Sequence, residues 1–191
     1  MIYFTAGLFF GDSNVLGLRH RPFLSVEQMD NQIMKNWNDT IKEDDSVYII
    51  GDMFSLSKGS PKKYLTQLKG RKHLLFGSTD KKWMKKIDLN DYFVNCKRLD
   101  EIDIGDKHIT MCYLYFPCWP RMNYNGYMVF GSENEFTHGS YWRIRYESEN
   151  ILDASVDVNN FRPVTFDELI ANNKKHKIRS PLSQQILKSL K

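Results

Sequence analysis

Residues 1–15, MIYFTAGLFFGDSNV, decide how the chain is read. Ile2 to Phe4 open an apolar run that passes into a turn-prone, glycine-containing segment, as the first strand of an α/β protein does. In open α/β sheets the loop after such a strand lies at the carboxyl edge, where ligands bind. Here that loop holds Gly7, Leu8, Phe9 and Phe10, and Asp12 is its only charged residue before Arg19. The position suits an active site, but the residues supply almost no chemistry.

The pattern that follows supports the α/β reading. In SVEQMDNQIMKNWNDTIK (25–42), Ser25 is a good N-cap with Gln28 at the capping-box position. Val26, Met29, Ile33, Trp37 and Ile41 then form one apolar helical face. SVYIIGD (46–52) predicts a buried strand that delivers Asp52 to its carboxyl end. Ser60-Pro61 opens a second helix with Tyr64, Leu65 and Leu68 inward, stopped at Gly70, and KHLLFGSTD (72–80) predicts another strand and loop. Strands and helices alternate to this point, which implies parallel strands in a layered sheet.

The second half reads differently. Residues 92–116 predict two strands around a Gly105-Asp106 turn, with further strands in YMVFGS (127–132) and ILDASVDV (151–158). TFDELIANN (165–173) predicts a helix with Thr165 and Glu168 as a capping box. Residues 172–191 read as a basic C-terminal tail or helix, ending in an amphipathic turn or two after Ser180-Pro181. One domain over residues 1–191 is the simplest organisation, since no repeat, linker or low-complexity segment appears.

Composition excludes several classes. The chain is 41% hydrophobic and 26% charged, which is ordinary globular material. The net charge of +4 is a mild bias drawn partly from the tail, too sparse for the dense basic stripe of a nucleic-acid binder. No run is apolar enough to span a bilayer, and the start is not a signal peptide, so no membrane is expected. Cys96, Cys112 and Cys118 show no CxxC spacing and read as reduced thiols of a cytoplasmic protein. No P-loop, GxGxxG or GxSxG elbow is present.

Several stretches together do carry a resemblance. MIYFT, FFG, RPF, SVEQMD, DDSVYIIGD, KHLLFGSTD and, above all, SVDVNNFRPVTFDEL (155–169) occur in order along nearly the whole chain. In these the chain resembles the small bacterial and phage members of the calcineurin-like metallophosphoesterase superfamily. The resemblance implies a four-layer αββα sandwich of two mixed β-sheets. It also implies a pair of divalent metals at the strand ends that activate a hydroxide against a phosphoester.

The metal motifs of that family are largely replaced. The Asp-x-His position reads Gly7-Leu8-Phe9, and the Gly-Asp position keeps Gly51-Asp52. The Gly-Asn-His-Asp position reads Gly77-Ser78-Thr79-Asp80. The late single histidine matches Tyr113, and Gly-His-x-His matches Gly131-Ser132-Glu133-Asn134, with His138 the one histidine near enough to stand in. Of the ligand positions only Asp52 survives. A two-metal hydrolase needs both ions to acidify the bridging water and clamp the reacting oxygens. Gly7 and Phe9 offer no ligand, and Tyr113 is a phenol that ionises near ~10. The expectation is therefore a vestigial pocket of Gly7, Phe9, Asp12, Asp52, Ser78, Thr79, Asp80, Tyr113, Ser132 and Asn134, with no catalytic residue, no metal and no cofactor. The bland reading gives Asp52 and Asp80 turn-capping work, with Asp52 bound by loop N–H groups; a sharper one has Asp12, Asp52 and Asp80 converge with Ser78 and Asn134 to hold Mg²⁺ or Ca²⁺ through oxygen.

Function follows as a choice of class. The leading expectation is a catalytically inactive, binding or regulatory protein, such as a phage- or prophage-encoded inhibitor of a host protein, or a sponge for a nucleotide. The alternative is a metal-dependent phosphodiesterase or phosphatase with a rearranged metal site. Tyr113–Phe130, YLYFPCWPRMNYNGYMVF, is the candidate partner surface. Pro117, Pro120 and Asn125-Gly126 make its centre a loop, on which Tyr115, Trp119, Arg121, Tyr124 and Tyr127 crowd together. The competing reading packs these rings into a core.

Overall fold

The computed structural model describes residues 1–54, 60–131 and 148–179. Its named strands form two four-stranded sheets. The first is β1 (Ile2–Thr5), β2 (Ser46–Ile49), β3 (Arg71–Leu75) and β4 (Phe93–Lys97), side by side in that order and all parallel. The second is β5 (Leu99–Ile104), β6 (Lys107–Cys112), β7 (Gly126–Phe130) and β8 (Ile151–Asp153). Here β5 and β6 are antiparallel, while β6, β7 and β8 are parallel. The α/β class and the pair of sheets thus stand, with only the second sheet mixed among its named strands.

Strand alternation explains the layers. A strand sends successive side chains to opposite faces. Tyr3, Val47, Ile49 and Leu74 face one way, into a core shared with Met29, Ile33 and Trp37 of helix α2 (Val26–Thr40). Phe4, Ala6, Tyr48, Ile50 and Leu75 face the other way, against Ile109, Met111, Val129 and Leu152 of the second sheet. The opposite face of that second sheet carries Met128, Phe130 and Ile151, packed with Trp119. Helices α1 (Asn14–Leu18), α3 (Pro61–Leu65) and α4 (Asp80–Met84), with a 3₁₀ turn at Leu89–Asp91, complete the connections of the first sheet. Helix α5 (Phe166–Arg179) packs against β8 and β1, and its Phe166 and Leu169 enter the core between the sheets.

Local chemistry accounts for the helix ends. Ser25 Oγ accepts the Gln28 N–H at 3.1 Å, as the capping pattern predicts, while Gln28 Oε1 reaches the Leu24 N–H at 2.7 Å. At α5 the box is reciprocal: Glu168 Oε2 accepts the Thr165 N–H at 2.9 Å and Thr165 Oγ1 accepts the Glu168 N–H at 3.4 Å. One expectation needs correction. Residues 92–116 hold three strands, because β4 closes the first sheet and a single residue, Arg98, separates it from β5. Of the segment expected as a basic tail or helix from 172, residues up to 179 are helical, and Asn173 is buried, with its side chain bonded to Asp153 N and O. The turns expected after Ser180 lie outside the described residues. Among the described residues no helix is long and apolar enough to cross a membrane.

Candidate functional site

The carboxyl ends of β1, β2 and β3 meet where the sequence places the pocket. Pairing between β1 and β2 continues into their loops: Gly7 N donates to Gly51 O, Phe9 N to Asp52 O and Phe10 N to Met53 O at 2.9–3.1 Å. The turn this requires is tight. Phe9 (φ 51°) and Asp52 (φ 55°) both sit in the left-handed region, an uncommon conformation for side-chain-bearing residues and one that clusters at functional sites.

The two aspartates at this edge do different work. Asp80, fully buried, accepts four N–H bonds: Met53 N (3.1 Å) and Trp83 Nε1 (2.9 Å) on Oδ1, and Asp52 N (3.0 Å) and Gly77 N (2.8 Å) on Oδ2. It therefore ties the loop after β2 to the loop after β3. Asp52, also buried, accepts side-chain hydroxyls instead: Thr79 Oγ1 at 2.6 Å on Oδ1 and Tyr113 OH at 3.2 Å on Oδ2. Burial, joined by the charge of Asp80, pushes the Asp52 carboxyl above the usual range; the bonds from Thr79 and Tyr113 and the charge of Arg19 work against that shift. The backbone partners expected for Asp52 are thus held by Asp80, whose place at the first turn of α4 aims its carboxylate back at both loops.

Tyr113 reaches this point from the end of β6, in the other sheet. Its ring lies on bare backbone. A Cβ placed on Gly51 would fall 2.3 Å from Tyr113 Cδ2, and one on Gly77 would fall 2.5 Å from the same atom. Both glycines are needed for the ring to sit there. On the β1 side, Gly7 and Phe9 contact a buried pair of arginines. Arg21 Nη2 donates to Gly7 O (2.6 Å), its Nη1 to Leu8 O (3.1 Å), and its Nε to Asp157 (2.8 Å). Arg19 also bonds Asp157, at 3.2 Å, and its guanidinium lies 5.0 Å from the Phe9 ring centre. Sequence reading singled out none of these three charged residues. Arg21 and Asp157 stand 136 positions apart, and only their setting within the family-like stretches hinted at a shared place.

The remaining expected pocket residues scatter. Asp12 accepts the Asn14 N–H at 2.9 Å within its own turn, and Ser78 is exposed. Ser132, Asn134 and His138 lie outside the described residues. Among the described residues no three His, Cys, Asp or Glu side chains converge as a metal site; Asn134, one of the oxygen donors expected beside Asp12, Asp52 and Asp80, lies outside them. The metal pair implied by the resemblance also fails to fit the described residues on chemistry. Asp80 is saturated by N–H donors, Asp52 is engaged by two hydroxyls, and a phenyl ring covers the backbone between them.

The partner surface is corrected in part. Trp119 is 8% exposed and packs on Met128, Phe130 and Ile151, so it anchors its loop from within. Tyr115 lies tilted against Phe130 (5.6 Å) and Tyr127 meets Phe166 edge-on (5.0 Å), so both are half-buried at the margins of the cores. Tyr124, 80% exposed, and Arg121 stand outward at the loop tip. Arg121 O accepts the N–H of both Tyr124 and Gly126, which fixes the tip. A separate open groove of about 560 Å³ between α4 and β4 includes Met84, Ile87, Phe93 and Cys96 in its lining. Burial pushes the Cys96 thiol up to about 11, so it is not poised as a nucleophile.

No family model matches the chain. The chain is 28% identical to the uncharacterized protein MJ1445 of Methanocaldococcus jannaschii over 182 residues, 93% of each chain. Among solved structures it is similar to AQ665, a protein of unknown function from Aquifex aeolicus. The TM-score is 0.66 at 22% identity, covering 88% of this chain and 96% of that one, a likeness of fold alone.

Proposed function

We propose that this protein is a catalytically inactive member of the metallophosphoesterase-like αββα sandwiches that acts by binding another protein. The observation that carries the reading is that both carboxylates at the strand ends are satisfied from within the molecule, Asp80 by four N–H groups and Asp52 by two hydroxyls. A hydrolase of that family needs such groups for its ions. A protein partner is favoured over a nucleotide. Asp52, Asp80 and Asp157 outnumber Arg19 and Arg21 here, and the Arg21 guanidinium is taken up by Asp157, Gly7 O and Leu8 O. The contact face is the tip around Tyr124 and Arg121, side-chain types that dominate binding hot spots, held rigid from below by Trp119. The two relatives come from an archaeon and from Aquifex, so the reading is not tied to a phage setting.

The test is co-purification from the native source, wild type against a Tyr124→Ala, Arg121→Ala double variant. Loss of a stoichiometric partner at unchanged melting temperature supports the reading. Hydrolysis of bis-p-nitrophenyl phosphate with Mn²⁺, abolished by Asp52→Ala, would instead establish the rearranged hydrolase.

A further inference from the structure

We infer that Tyr113, at the position the resemblance gives to a metal-binding histidine, is a cross-sheet strut, and that this corner of the fold holds together without a cation. The residue joins four strand ends. It follows β6 directly, and its carbonyl accepts the Gly131 N–H, just past β7, at 3.2 Å. Its ring lies on Gly51 past β2 and on Gly77 past β3. Its hydroxyl donates to Asp52 at 3.2 Å, and Thr79 donates to the other oxygen of the same carboxylate at 2.6 Å. A bound cation draws loops together by gathering their carboxylates. Tyr113 draws the same loops together with ring contact and a neutral O–H donor. The two arrangements exclude each other, because the ring occupies the space between the loops and its hydroxyl takes an acceptor site of Asp52.

The glycines fit this arrangement. Any side chain at Gly51 or Gly77 would meet the ring at 2.3–2.5 Å, and here the two share one aromatic neighbour. The inference goes beyond the binding proposal and stands whether or not a partner is captured.

The experiment is thermal unfolding of the full chain in EDTA and in millimolar Mn²⁺ or Mg²⁺, for wild type, Tyr113→Phe and Tyr113→Ala. The wild type should melt within about 1 °C in all three conditions, since a cation bound only by the folded state raises the midpoint by mass action. Tyr113→Phe keeps the ring and loses one hydrogen bond, so its midpoint should drop by roughly 2–4 °C. Tyr113→Ala should drop further, by roughly 5 °C or more. A wild-type midpoint that rises by several degrees with Mn²⁺ or Mg²⁺ would overturn the inference, as would Tyr113→Phe and Tyr113→Ala both melting like wild type. Should Tyr113→Ala fail to fold, Tyr113→Phe and the cation series still decide the matter.

Discussion

Replacing Asp80 by Asn tests how the site is held together. Its four N–H donors divide evenly, two on each carboxylate oxygen. An asparagine keeps one carbonyl oxygen and therefore two of those bonds. Its amide NH₂ then faces the other two donors, in a spot with no exposed surface. A hydrogen bond to a charged group contributes about 1.5–3 kcal/mol, and a buried donor left unpaired costs about 1–3 kcal/mol. Local relaxation recovers part of this, so the loss should be about 3–4 kcal/mol, a large share of the roughly 5–15 kcal/mol that holds a domain folded. Asp52→Asn is the matched control. Thr79 and Tyr113 hydroxyls can each donate or accept, so they re-pair with an amide. Removing the charge also relieves a desolvated carboxylate beside Asp80. Its cost should be at most about 1 kcal/mol. Urea unfolding at neutral pH reads both, with unchanged slope and a lower midpoint for Asp80→Asn. The reasoning fails if Asp52→Asn costs as much as Asp80→Asn, or if Asp80→Asn costs less than about 1 kcal/mol.

Two further outcomes follow from buried groups. His73 is 8% exposed and stacks on Tyr48 at 4.6 Å. Burial holds its pKa below the ordinary 6.5, so below that pH the unfolded chain binds the proton first and stability falls as pH drops. Unfolding midpoints measured from pH 7 down to about 5 should show this slope, and His73→Phe should flatten it; an identical slope in the variant contradicts the assignment. Trp119→Ala should lose about 3 kcal/mol as a buried ring, while Tyr124→Ala should stay within about 0.5 kcal/mol, both read by urea unfolding. Equal losses at the two positions would remove the distinction between anchor and tip.

Much of the fold was legible because its signals are local. Ser25 and Thr165 start their helices as the capping patterns predict, and Gly51-Asp52 and Gly77–Asp80 end their strands. The break between β4 and β5 was not legible, since Arg98 carries no turn chemistry and both strands lie in one extended run. Within the site, the resemblance placed Asp52, Thr79, Asp80 and Tyr113 together, but the backbone N–H bonds expected for both aspartates fall to Asp80. Which carboxylate meets N–H groups depends on helix α4 aiming Asp80 backwards, a matter of tertiary geometry. Arg19, Arg21 and Asp157 were missed because the arginines stand 138 and 136 positions from their aspartate. Trp119 and Tyr124 look alike in the sequence. Only the packing of their loop over Phe130 separates the ring beneath from the ring on top.

Crystals grown with millimolar Mn²⁺, measured for anomalous scattering at the manganese edge, show whether the Tyr113 ring or a cation holds this corner of the fold. The Tyr113 ring should lie in density against Gly51 and Gly77, with no manganese within bonding distance of Asp52. A manganese peak bonded to the Asp52 carboxylate, with the Tyr113 ring displaced from the two glycines, would contradict it.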